Sequence, residues 1–159
     1  MATSVTSIAV LVGSMVVCLA IAALGAKVTV PEIPTWYASL NKPSWTPPRI
    51  AFPIVWPILY FLMSVAVWRL WGTPEGDART AALIGFVAQL ALNAIWSPIF
   101  FGRHDLTGGM VVISLLVLAL AFTIFTAFET DLLAGLLLVP YLVWICFAAA
   151  LNARILMLN

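Results

Sequence analysis

Read for apolar and polar positions, the chain is five long hydrophobic stretches separated by short polar breaks. Val5 to Ala26 holds no charged residue and is long enough to cross a hydrocarbon layer as a helix. Ile50 to Trp71 predicts a second span, with Pro53 in its first turn, where a missing N–H costs nothing, and Pro57 deeper, where it opens the hydrogen-bond ladder. Gly72 to Arg79 is a polar turn. Thr80 to Phe101 predicts a third span, closed by Pro98 and Gly102, and Arg103, His104 and Asp105 form a tight connector. Leu106 to Phe128 and Leu132 to Leu158 predict the fourth and fifth spans, on either side of a turn at Glu129 to Asp131. The expectation is therefore an all-α integral membrane protein, one bundle of five transmembrane helices filling residues 1–159.

Composition supports this reading. The chain is 64% hydrophobic and 8% charged, whereas a soluble domain carries about a quarter charged residues. Residues 1–6 lack the Lys or Arg that opens a signal peptide, so the first span reads as retained. A net charge of +1 offers nothing to a nucleic-acid partner. Cys18 and Cys146 lie in apolar segments and suggest no disulfide framework, and His104, with no second His or Cys near it, suggests no metal site and reads as a solvated loop residue. Lys27, Lys42, Arg49, Arg103 and Arg154 fall on one side of a five-span topology, and Arg69 and Arg79 on the other. The positive-inside rule then places the first loop, the third loop and the C-terminus in the cytoplasm, if the membrane is of plasma type.

The stretch from Thr35 to Trp56 stands apart. It compresses three tryptophans, a tyrosine, four prolines, Lys42 and Arg49 between two apolar spans. Pro43, Pro47 and Pro48 fix φ and push the preceding residues out of the helical region, so Asn41 to Arg49 is expected to be a stiff extended loop. Two readings fit its Trp36, Tyr37 and Trp45: an aromatic belt at the membrane surface, or a lid over a pocket between helices.

Inside the spans the informative residues are neutral. Gln89, Asn93 and Trp96 share one face of the third span by i, i+4, i+7 spacing, Trp56 and Tyr60 are one turn apart on the second, and Tyr141, Trp144, Ala148 and Asn152 follow a face of the fifth. An amide in hydrocarbon needs a partner, so Gln89 and Asn93 are expected to point inward, either as interhelical glue or as polar anchors of an aromatic-walled small-molecule site. Ala81, Gly85 and Ala88 form a small-residue stripe that is a candidate dimer seam or a packing face within one chain. No Asp, Glu, Lys or His sits mid-span, which counts against an ion-coupled pump. No general acid–base pair is visible either.

The ordered motifs W-Y-x-x-L-x-K-P-x-W-x-P-P at Trp36–Pro48, F-P-x-x-W at Phe52–Trp56, Q-L-x-L-N-x-x-W-x-P-I-F-F-G at Gln89–Gly102 and P-Y-L-x-W at Pro140–Trp144, then Leu151–Asn152, resemble the TspO or translocator protein family, the tryptophan-rich sensory proteins. The resemblance spans nearly the whole chain. It implies five transmembrane helices, usually paired as a homodimer, and a pocket under the first loop for porphyrins such as protoporphyrin IX and for benzodiazepine-site ligands. Pocket positions of the family match Tyr37, Tyr60, Asn93 and Ala148. Light-dependent porphyrin breakdown, attributed to some bacterial members, would fall to Trp56 and Trp144. The family's sterol motif needs a Tyr ahead of Arg154 that is missing here, so tetrapyrrole binding is expected over sterol binding.

The resulting expectation is a membrane sensor that requires no cofactor and takes a porphyrin or haem as ligand. Trp45, Trp56, Tyr60, Trp96, Tyr141 and Trp144 would supply ring faces, Gln89 and Asn93 polar anchors, and Lys42 or Arg49 partners for propionates. A carrier that moves porphyrin, lipid or sterol across the membrane, and a light-dependent porphyrin-degrading enzyme, are the alternatives.

Overall fold

A computed structural model describes residues 4–159; residues 1–3, part of the charge-free N-terminal stretch, lie outside the described residues. The elements are α1 (Ser4–Glu32), a single turn α2 (Trp36–Ser39), α3 (Ala51–Gly72), α4 (Asp77–Ser97), a π turn (Pro98–Gly102), α5 (Leu106–Thr130) and α6 (Leu132–Leu158). Five helices are long and apolar enough to cross a membrane, as the hydrophobic stretches predict. In a bilayer a helix satisfies its backbone hydrogen bonds within its own segment.

Several boundaries differ from expectation for local reasons. α1 continues past Ala26 through Lys27 and Pro31 to Glu32, because nothing in Lys27–Val30 breaks a helix. The first loop is extended at Asn41–Pro43 as its prolines dictate, but Trp36 and Tyr37 stand on a helical turn before them. The third span starts at Asp77, whose carboxylate favours the N-terminal end of the helix dipole. At Pro98 the ladder loses an N–H and reopens with a wider ring, in which Arg103 N donates to Pro98 O at 3.0 Å.

The helices close a ring in the order α1, α3, α6, α5, α4, back to α1, with the α4–α5 and α5–α6 pairs packed most extensively. Met63, Leu70, Leu116, Leu120 and Leu138 fill the interior, while Ile8, Val16, Leu118, Phe125 and Val143 are exposed on the outer surface, which a bilayer would cover. α1 is the loosest member, with Cys18 as its one fully buried side chain among the described residues. It is tied on by Trp68 Nε1, which donates to Ser7 Oγ at 2.6 Å.

Gly85 settles what the small-residue stripe does. A Cβ there would lie 2.6 Å from Thr123 Oγ1 and 3.2 Å from Phe122 Cδ1, so Gly85 is where α5 approaches α4 within one chain and not a seam between copies. Ala81 is half-buried beside it, and Ala88 is exposed on the outer face. Gly109 marks a second close approach, where a Cβ would meet the Phe100 ring at 2.8 Å.

The first loop, the Arg103–Asp105 connector and the C-terminus share one end of the bundle. Asn41 N donates to Asn159 Oδ1 and Asn159 Nδ2 to Asn41 O, both at 3.0 Å. At the other end Arg69 forks onto Asp131, Nε to Oδ1 at 3.0 Å and Nη2 to Oδ2 at 2.7 Å, fastening α3 to the α5–α6 turn.

Candidate functional site

Three helices bring their polar groups together at the centre. Tyr60 of α3 donates its hydroxyl to Asn93 Oδ1 of α4 at 3.2 Å, and Asn93 Nδ2 donates to the Tyr141 hydroxyl of α6. Both tyrosines are buried, so the amide bridges two phenols in a dry setting. Trp56, one turn before Tyr60, stacks on it with ring centroids 5.3 Å apart and meets Tyr141 edge-on at 6.2 Å. Gln89, one turn before Asn93, is fully buried, and neither its oxygen nor its nitrogen has a partner. Leaving a buried amide unpaired costs about 1–3 kcal/mol.

The remaining predicted residues divide between two neighbouring aromatic clusters. At the α3–α6 rim Trp144 lies edge-on to Phe52 at 5.8 Å and tilted against Phe147 at 5.8 Å, which in turn meets the exposed Trp45 at 5.7 Å. Ala148, next to Phe147, is half-buried against the core. Trp144 is thus not in the Trp56 stack, and the pair expected to act together on a ligand belongs to adjoining clusters. At the end of α4 Trp96 stacks on Phe100 at 4.9 Å, with its indole N–H buried and unpartnered. Tyr37 leans on Phe100 and Phe101 at 6.5 and 5.5 Å. Burial pushes its phenol up, against the pull of the Arg49 charge.

Lys42 has other work than the one expected. Its Nζ donates to the carbonyls of Tyr37 at 2.6 Å and Leu40 at 2.7 Å and sits 4.9 Å from the Tyr37 ring centroid. The ammonium locks the end of α2 and has little left for a propionate. Arg49, exposed at the foot of the loop, is the cation of the pair that is available to an anionic ligand.

Two open depressions lie away from this centre: a groove of about 370 Å³ lined by Ser114, Val117, Leu118, Cys146 and Ala149, and one of about 260 Å³ at the far end, beside Thr73–Arg79, Glu129 and Thr130. A ligand entering between α3, α4 and α6 would have to part the Trp56 stack.

Sequence reasoning missed one group altogether. His104 is not merely solvated: its Nε2 lies 2.9 Å from Glu32 Oε2, and its ring stacks on Trp36 at 4.4 Å with a 10° interplanar angle. A separation of 72 positions along the chain puts the pairing beyond any local pattern.

The profile of the TspO/MBR family matches residues 14–158. Protein CrtK of Rhodobacter capsulatus is 44% identical over 78% of this chain and 78% of its own, and the tryptophan-rich sensory protein of Cereibacter sphaeroides is 44% identical over 78% and 77%. The translocator protein of Bos taurus is 38% identical over 82% of this chain and 79% of its own. The match runs from within the first span through the aromatic first loop to the end of the fifth span, and the chain belongs to the TspO/MBR family.

Proposed function

We propose that the protein is a membrane sensor that binds a flat, largely apolar tetrapyrrole such as protoporphyrin IX, or a drug-like ligand of similar shape, between α3, α4 and α6 beneath the first loop. The observation that carries this reading is the convergence of Tyr60, Asn93 and Tyr141 at the core of an aromatic wall, with Gln89 unpartnered one turn away. Apolar walls with a few convergent polar groups are the usual make-up of a small-molecule site. Trp56 would leave the Tyr60 ring to stack on the ligand, Gln89 would gain the partner it lacks, and Arg49 would meet a propionate at the mouth. The loop end, with Lys42, Arg49, Arg103 and Arg154 near it, would face the cytoplasm of a plasma-type membrane. Two copies would meet through the exposed face of α4 at Ile84, Val87 and Ala88.

The test is a titration of the protein in nanodiscs with protoporphyrin IX, following tryptophan fluorescence. Saturable quenching by one porphyrin per chain, weakened at least about tenfold by Gln89→Leu, is expected, a factor equal to about 1.4 kcal/mol. Non-saturable quenching, equal in empty nanodiscs, would refute the reading.

A further inference from the structure

We propose that Glu32, His104 and Trp36 form a proton-dependent latch, which holds the first loop down on the helix ends more tightly when the imidazole is protonated. The proposal deepens the reading of the loop as the cover of a ligand site, but its geometry and its test need no ligand.

The geometry is specific. A carboxylate only accepts hydrogen bonds, so the 2.9 Å contact with Glu32 Oε2 requires the proton on His104 Nε2. The same oxygen accepts from Thr35 Oγ1 at 3.3 Å, in the residue before Trp36. The Trp36 indole covers the imidazole face at 4.4 Å, and its other contacts are the edges of Phe100 at 5.5 Å and Phe101 at 6.2 Å. His104 therefore joins three segments: the end of α1, the turn α2 that starts the loop, and the α4–α5 connector. Its φ of 56° puts it in the left-handed region, which few residues other than glycine adopt and which histidine tolerates better than most.

Protonation changes the strength of this junction without changing its shape. A neutral imidazole donates one hydrogen bond to the Glu32 carboxylate and makes one ring stack. The imidazolium makes an ion pair with the same oxygen and places a cation on the indole face. The latch is thus tightest on the acid side, while Glu32 is still ionised, and loosens as the proton leaves. Side-chain exposures of 44% for His104 and 28% for Glu32 keep both in exchange with water. The other charges nearby do not supply the same switch. Asp105 on the connector is bound to Gly108 N at 2.8 Å, Arg103 beside it is exposed, and Lys27 lies five residues back on α1, on a different face from Glu32. Neither α2 nor the π turn carries a charged side chain, and the nearby phenol, Tyr37, leans on Phe100 and Phe101.

Hydrogen exchange of the backbone amides of residues 33–50, in ligand-free protein in nanodiscs, reads the latch directly. After correction for the intrinsic pH dependence of exchange, protection should be about two- to fivefold higher at about pH 5.5 than at about pH 8, the range that a half-exposed ion pair contributes. His104 is the only histidine in the chain, and the Glu32→Gln comparison ties the response to this pair. Glu32→Gln, which leaves the connector backbone untouched, should flatten the response, and His104→Arg should keep the acid-side protection at both pH values. Equal wild-type protection at the two pH values, or a full response in Glu32→Gln, would overturn the latch. Either result leaves the porphyrin titration to be judged by itself.

Discussion

Replacing Asn93 by Leu tests the centre of the molecule. The substitution keeps the branched shape of the amide, with bulkier methyl groups at its ends, and removes both of its bonds, the one accepted from Tyr60 and the one donated to Tyr141. In a soluble core each orphaned group would cost about 1–3 kcal/mol. Between membrane helices the measured value is lower, about 0.6 kcal/mol on average and at most about 1.7, because the separated helices also find partners in the bilayer. The lower scale applies here, since α3, α4 and α6 would remain inserted when they part. Two bonds then amount to about 2 kcal/mol, a fall in Tm of about 4–8 °C for a chain of this length. Thermal unfolding in detergent, read by circular dichroism, measures the fall. A double-mutant cycle with Tyr141→Phe isolates the single bond, and its coupling should lie at about 0.6–1.7 kcal/mol. A Tm within about one degree of wild type, together with zero coupling, would show that the amide does not bridge the two phenols, and the bottom of the proposed site would go with it.

Gly85→Ala should lower Tm through about 1–3 kcal/mol of overpacking, because its Cβ meets Thr123 and Phe122, whereas Ala121→Leu on the exposed face of α5 should move it by under about 0.5 kcal/mol; equal effects would contradict the packing of α4 on α5. Asp131 is held below the usual carboxylate range, chiefly by the hydrogen bond from Arg69, so its stabilisation is present above that range and lost as pH falls through the lowered value. Asp131→Asn, which can still cap α6, should therefore lower Tm at neutral pH, with the gap to wild type closing on acidification; a gap that widens in acid would reverse the sign. Trp56→Phe should leave porphyrin affinity within about tenfold, or about 1.4 kcal/mol, yet slow any light-driven loss of porphyrin absorbance more than Trp144→Phe does, since Trp56 adjoins the polar centre and Trp144 the rim. Equal bleaching by wild type and both variants would reduce the two indoles to walls.

Much of this was written in the sequence. Five uninterrupted apolar windows can only be spans, because a backbone in hydrocarbon must satisfy itself within a helix. Pro43, Pro47 and Pro48 forbid a helix over Asn41 to Arg49 whatever surrounds them. Asn93 had to face inward, since an amide turned to lipid finds no partner. The order of the helices around the ring was not legible, because nearly every face of every span is apolar and periodicity cannot separate lipid-facing from core-facing positions. For the same reason Gly85 reads equally well as a seam between copies or a contact within one, and only the approach of Thr123 decides it. The aromatic residues could be counted in advance but not sorted into three clusters. Lys42 reads as a ligand for anions until the carbonyls of Tyr37 and Leu40 are found around it. Glu32 and His104, 72 residues apart, meet only because α1 runs six residues beyond its apolar window and the π turn at Pro98 brings the connector under Trp36. Local chemistry set which residues could not face lipid; the packing of five helices set which of them touch.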